Sequence, residues 1–177
     1  YRIISVATGK AKEEKQHYTH NDISDLTFLG FICLIDPLRP ESIMAITKCR
    51  KAGVKVIMIT GDHQETALAI AKELKIARSR ENVITGLEIE HMDEDELSNT
   101  ISEKTVFARV LPLQKLKIVD CLIKSGNYVA VTGDGVNDSP ALKKAHIGIA
   151  MGSGSDISKD IASVIIVNDD FYSIVTG

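Results

Sequence analysis

The sequence predicts an α/β fold: a doubly wound, mostly parallel sheet with helices on both faces. Three observations carry that reading. Short apolar runs rich in β-branched residues, at 54–59, 105–108, 129–132, 147–150 and 164–167, alternate with stretches of helical periodicity. The intervening helices carry their own punctuation, with Pro40, Pro112 and Pro140 at starts and Gly53 and Gly126 at stops. Several runs end in polar, glycine-containing turns, the place where open α/β sheets bind ligands.

The chain has 177 residues, 44% of them hydrophobic and 25% charged, which suits a soluble globular domain with a sizeable core. A net charge of -3 leaves no footprint for nucleic acid and no polybasic membrane patch. No apolar run reaches the length that crosses a bilayer, and the first residues do not form a signal peptide. Cys33, Cys49 and Cys121 are widely spaced in apolar contexts, and they read as reduced core residues of a cytosolic protein.

Residues 1–7 alternate like a strand, and residues 9–25 are polar and charged, as in a solvated linker. His17 and His20 have no third metal ligand nearby and read as surface histidines. Residues 26–35 form a continuous apolar run, expected as a buried strand. It leads through Asp36-Pro37-Leu38-Arg39 into a helix whose apolar stripe is Ile43, Ile46 and Cys49. Strand 54–59 opens into Thr60-Gly61-Asp62, with Asp62 and Glu65 at capping-box spacing for the next helix. That helix would bury Ala67, Leu68, Ile70, Ala71 and Leu74. A short strand near 83–86 and a surface helix over 93–103 come before strand 105–108. The next helix carries Lys115 in its first turn and Leu116, Val119, Leu122 and Ile123 on its buried stripe.

The chemistry concentrates after the run at 129–132, expected as a buried strand. Thr132-Gly133-Asp134-Gly135-Val136-Asn137-Asp138 places two carboxylates and an amide in a tight turn, with Asp138 as N-cap of the following helix. Oxygen donors on such a turn suit Mg2+, which takes one or two carboxylates and keeps waters for a phosphate partner. Thr60 supplies a hydroxyl and Lys115 an ammonium. With Asp134 and Asp138 they make up the set that phosphoryl transfer needs.

The turn resembles, almost letter for letter, the hinge signature of P-type cation-transporting ATPases, members of the haloacid dehalogenase superfamily. The strings DPLRP, ITGD, FARVLPLQK and TGDGVNDSPALKKAHIGIAMGSGSD occur in that family's order, and the resemblance covers nearly the whole chain. It implies a Rossmann-like sheet of the haloacid dehalogenase type, with Mg2+ and ATP as cofactors. It further implies that Thr60, Gly61 and Asp62 meet the phosphoryl group and that Lys115 pairs with the phosphorylated carboxylate. Asp134 would ligate Mg2+, with Asn137 and Asp138 orienting its water and the phosphate. Asp36 and Arg39 would face the nucleotide, with Arg109 a further candidate. Leu38 stands where the family motif has a second proline, which leaves that charged pair intact.

The family's nucleophile lies in Asp-Lys-Thr-Gly-Thr, a string that does not occur in this chain. The resemblance therefore implies a sheet lacking its nucleophile strand, in a piece of a larger pump. Residues 1–25 would end the nucleotide-binding insert, and residues 26–177 would form the C-terminal part of the phosphorylation domain. Its partners would be the nucleotide-binding, actuator and membrane domains, and the parent would most resemble the Ca2+ or Na+/K+ pumps. The piece would be the cytoplasmic part of an integral membrane protein and unable to phosphorylate itself. A rearranged strand or a second copy of the chain, making a homo-oligomer, would close its central gap. The alternatives are a soluble phosphatase of the same superfamily, which would need an Asp-x-Asp nucleophile loop, and a regulatory module that kept the fold without catalysis.

Overall fold

The computed structural model describes residues 2–10, 15–34 and 37–175, which fall into two compact units, Tyr1–Pro37 and Leu38–Gly177. In the first unit, β1 (Arg2–Thr8) pairs antiparallel with β2 (Thr27–Leu34), from Arg2 opposite Leu34 to Thr8 opposite Thr27. The ladder slips between Val6 and Ala7, opposite Gly30, whose φ of 152° only glycine adopts without strain. The connecting loop is tied by Lys15, which donates to Asp22 at 2.5 Å, and by the Thr19 backbone N–H on the same carboxylate.

The apolar run at 26–35 is thus a strand but not a buried one, and its end at Ile35 lies outside the described residues. Phe28 is 57% exposed and Phe31 65%, and Cys33, expected in the core, is exposed as well. A two-stranded ribbon has no second layer to cover either face, so apolar residues on both faces meet water. Because β2 pairs with β1, both strands fall in the first unit, and the units part at 37/38.

The second unit alternates helix and strand, with two α-helices in succession only before the strand Val106–Ala108. In chain order it contains α1 (Pro40–Lys51), β3 (Met58–Ile59), α2 (Gln64–Glu73), β4 (Val83–Thr85), α3 (Gly86–Glu90) and α4 (Glu94–Glu103). There follow β5 (Val106–Ala108), α5 (Pro112–Lys124), β6 (Ala130–Gly133), α6 (Ser139–Lys144), β7 (Ile147–Met151), α7 (Asp156–Ile161) and β8 (Val164–Ile166). The strands form two three-stranded parallel sheets, ordered β3-β5-β4 and β6-β7-β8. The helix punctuation holds: Pro40 and Pro112 occupy first turns, and Gly53 and Gly126 follow helix ends with φ near 80°. The Asp62–Glu65 capping box does not form. The N-cap of α2 is His63, paired with Glu65, because Asp62 is drawn back to Thr60.

Period-two alternation sends successive strand residues to opposite faces. Val56, Met58, Val106, Ala108 and Val83 pack with Ala67 and Ala71 of α2, while Ile57, Ile59, Phe107 and Ile84 pack with Ile118 and Cys121 of α5. The same α5 turns Val119 onto Val129 and Val131. It therefore packs on residues of both sheets, from the β3 side to β6.

Burial differs sharply between the strands. Val106, Phe107 and Ala108 of β5 are each fully buried, whereas β3 is half-buried and Ala130 and Thr132 of β6 are exposed. The run at 129–132 is accordingly a half-open strand and not the buried one its composition suggested. Among the described residues β3, β4, β6 and β8 each have a single paired neighbour, which leaves one side of each of these ladders without a strand.

Charge ties the helices together at the surface. Lys124 bridges Glu94 at 2.9 Å and Asp120 at 3.3 Å, and Lys144 reaches Asp120 at 2.6 Å. The hydrogen bonds from Lys144 and then Lys124 hold the Asp120 carboxyl below its ordinary range.

Two outcomes follow for urea denaturation. Phe107→Ala should cost about 3–5 kcal/mol, while Leu113→Ala on the 77% exposed face of α5 should stay within about 0.5 kcal/mol. Because the Asp120 carboxyl is depressed in the folded state, its contribution is complete above the unfolded value and lost as pH falls through the folded one. The stability gap between the parent chain and Asp120→Asn should therefore be present at neutral pH and close in acid.

Candidate active site

The first wall of the site is the turn after β3. The backbone N–H of Thr60 donates to Phe107 at 2.8 Å, and Val110 returns a bond to the Thr60 carbonyl at 3.0 Å. Arg109 donates to the Asp62 carbonyl at 3.0 Å from a left-handed conformation, φ 53°, that a non-glycine residue adopts at a cost. The turn is therefore stapled to the segment leading into α5. Inside it, the Thr60 hydroxyl donates to Asp62 Oδ2 and accepts the Asp62 N–H, each at 3.0 Å. Gly86 backs this segment: a Cβ there would stand 2.3 Å from the Arg109 carbonyl oxygen.

The second wall is an ion pair. Lys115 lies in the first turn of α5, the unfavourable end of a helix dipole for an ammonium, and it finds its counter-charge in Asp138 at 2.6 Å. Both side chains are mostly buried, 19% and 16% exposed, so the pair is desolvated and little screened. Asp138 stands at the N-cap of α6 as expected, but its carboxylate makes no cap bond, because Lys115 claims Oδ1 and the Gly135 N–H lies 3.4 Å from Oδ2. This close turn requires Gly133, where a Cβ would stand 2.6 Å from that of Asp138.

Between these walls in the chain, Asp134 and Asn137 are exposed, and their side chains have no hydrogen bond or ion pair among the described residues. The donor set fits Mg2+. Asp134 offers one free carboxylate, Asp138 is held by Lys115, and no group of three His, Cys, Asp or Glu side chains among the described residues could build a zinc or calcium cage.

Arg39 lies elsewhere. Its guanidinium donates to the Asp169 carbonyl at 2.6 Å, beside a cleft lined by Ser42, Asn168, Asp170 and Phe171. Asp169 in turn accepts the Ser153 N–H at 3.0 Å, and the Ser153 hydrogen bonds, followed by the Arg39 charge, keep its carboxyl below the ordinary range. Arg109 joins the Thr60 turn through its backbone, with its side chain exposed. Asp36 lies outside the described residues. Sequence reasoning missed Ser155 and Ser158, whose bonds reach the Asp134-Gly135 segment. The only signal was the glycine-serine turn before α7.

With the geometry in place, the comparisons give it a family context. The profile of haloacid dehalogenase-like hydrolases matches residues 5–146. Calcium-transporting ATPase 1 of Lactococcus lactis is 43% identical over 99% of this chain, and the sodium/potassium-transporting ATPase subunit alpha-A of Artemia franciscana is 47% identical over 88% of it. The chain spans about a fifth of the length of these curated relatives, 20% and 18%. Among solved structures, a zinc-transporting PIB-type ATPase in its E2.Pi state matches 85% of the chain at 31% identity and a TM-score of 0.64, using 21% of that protein.

Removing Lys115 leaves a mostly buried carboxylate alone. Lys115→Met should destabilise the chain by about 1–3 kcal/mol, between the exposed and fully buried limits. The double change Lys115→Met with Asp138→Asn should recover most of that loss in urea denaturation, the coupling being the measure of the pair.

Proposed function

Since the chain belongs to the haloacid dehalogenase-like hydrolases, we propose that it is the C-terminal part of the phosphorylation domain of an ATP-driven cation pump, most like the calcium and sodium/potassium types. In this reading residues 1–25 close the nucleotide-binding insert, and residues 26–177 belong to the phosphorylation domain, the second unit carrying the phosphoryl chemistry. The observation that carries the reading is the Lys115–Asp138 pair next to the free Asp134 carboxylate on one glycine-rich turn.

Each side chain then has a task. Lys115 neutralises phosphoryl oxygens near the acyl phosphate, and Asp138 fixes the direction of its ammonium while helping to orient water. Thr60 turns its hydroxyl from Asp62 to a phosphate oxygen, so that Asp62 and the Gly61 backbone shape that side of the pocket. Asp134 holds Mg2+ with Asn137 beside it. When bound, the ion neutralises charge on the transferring phosphoryl group. Asp36, Arg39 and Arg109 face ATP in the assembled protein.

The carboxylate that becomes phosphorylated belongs to a segment outside this chain, and its strand enters between β3 and β6. What supports this entry is the single pairing and partial exposure of both strands. By likeness to the calcium- and sodium/potassium-transporting relatives, ion binding falls to membrane domains of the parent, with this chain on their cytoplasmic side.

The test is acid-quenched labelling with Mg2+ and γ-labelled ATP. The chain alone should take no label. With the missing upstream segment supplied, a hydroxylamine-sensitive label should form, and Asp134→Asn should abolish it. A label on the chain alone would mean another carboxylate is the nucleophile and would end this reading.

A further inference from the structure

The search beyond the site's own residues leads to α7 and the turn before it. Ser158 is the one buried polar side chain among the described core residues, with no exposed surface, and its hydroxyl donates to the Gly135 carbonyl at 2.9 Å. That hydroxyl has a single proton, now committed. The 2.8 Å contact between the Ser155 and Ser158 hydroxyls must therefore run with Ser155 as donor. Ser155 Oγ also accepts the Ser158 N–H at 3.2 Å, while the Ser155 N–H donates to the Asp134 carbonyl at 2.8 Å. Consecutive carbonyls of the catalytic turn, those of Asp134 and Gly135, are thus both held from one short helix start.

The fit is close enough to exclude a side chain at Gly154, where a Cβ would stand 2.9 Å from the Asp134 carbonyl oxygen. The Gly135 carbonyl accepts a second bond, 3.0 Å from the Asp138 N–H, so the peptide is gripped both by its own turn and by α7. The Asp134 side chain, in contrast, has no partner among the described residues to orient it. Its direction is set by the backbone alone, and the backbone is set by the serines.

We propose that Ser158, relayed by Ser155, is a positioning residue that holds the Asp134-Gly135 backbone so that the Asp134 carboxylate meets Mg2+. This deepens the function proposed above and rests on it. Partners that orient a ligand through its side chain are typically worth 10–100-fold in metal affinity. Acting through the backbone, Ser158 should be worth about three- to ten-fold, below that range.

The experiment follows the backbone amide resonances of Gly133, Asp134 and Gly135 in this chain during Mg2+ titration, with urea denaturation in parallel. The parent chain should show a saturable shift that Asp134→Asn removes. Ser158→Ala should weaken the apparent Mg2+ affinity by about three- to ten-fold. Ser155→Ala, at a less buried position, should weaken it less because its backbone bond to Asp134 survives. It decides the matter if Ser158→Ala does not fold. Ile101→Val, buried in α4 and remote in the chain, should lower stability by about 0.5–1.5 kcal/mol yet leave Mg2+ affinity unchanged. Unchanged affinity in both serine variants, with the Asp134→Asn response lost, overturns the brace alone. A response that Asp134→Asn retains overturns the Mg2+ assignment and the brace with it.

Discussion

One helix holds both halves of this site in register. The inner face of α5 packs Ile118 and Cys121 against the β3 side and Val119 against Val129 and Val131, and its first turn presents Lys115 to Asp138. Parallel strands are stable only when both faces are covered, and here the covering helix also spans the interval where the two sheets fail to join. The ion pair at its start ties the β6 turn to the helix that β5 feeds. Motif residues more than twenty positions apart meet because a single rigid element carries one of them and buries against the support of the other.

The break between the sheets accounts for a pattern of burial that composition alone does not explain. β5 and β7 each have a neighbour on both sides and are well buried, whereas β3, β6 and β8 have one neighbour each among the described residues and stay partly open. β4 also has one neighbour but is buried because helices cover Val83 and Ile84 on its two faces. An unpaired ladder edge beside half-buried apolar residues is a costly arrangement for a self-sufficient domain and a natural one for a part that receives another strand. The β1–β2 ribbon speaks the same language within its own unit. Its aromatic and aliphatic residues have strand pairing but no covering layer. Both features agree with a chain spanning about a fifth of its curated relatives.

The candidate site is built from polar groups already committed to each other. Thr60 bonds Asp62, Lys115 bonds Asp138, and the Asp134 and Gly135 carbonyls bond Ser155 and Ser158. Such commitments fix rotamers and backbone before any ligand arrives, which is the general condition for electrostatic stabilisation without reorganisation. Asp134 and Asn137 are the exceptions, exposed and without partners among the described residues, at the place where a ligand would be met.

What was local in the chain was legible in the sequence. The parallel α/β alternation, the prolines at helix starts, the glycines at helix stops and the polar turns after β3 and β6 all depend on neighbouring residues, and they stand where periodicity and turn chemistry put them. Candidate residues could be proposed for the same reason, since each motif is contiguous. What depended on distant residues was decided only by the tertiary structure. Asp138 keeps its N-cap position, but its carboxylate is committed to the Lys115 ammonium from another helix and not to the helix it caps. The runs at 26–35 and 129–132 looked buried because they are apolar, yet burial requires a second layer or a neighbouring strand, and neither can be read from the run itself. Ser155 and Ser158 lay in an unremarkable turn until folding carried them to the Asp134 backbone, because a hydrogen bond across twenty residues leaves no local trace in sequence.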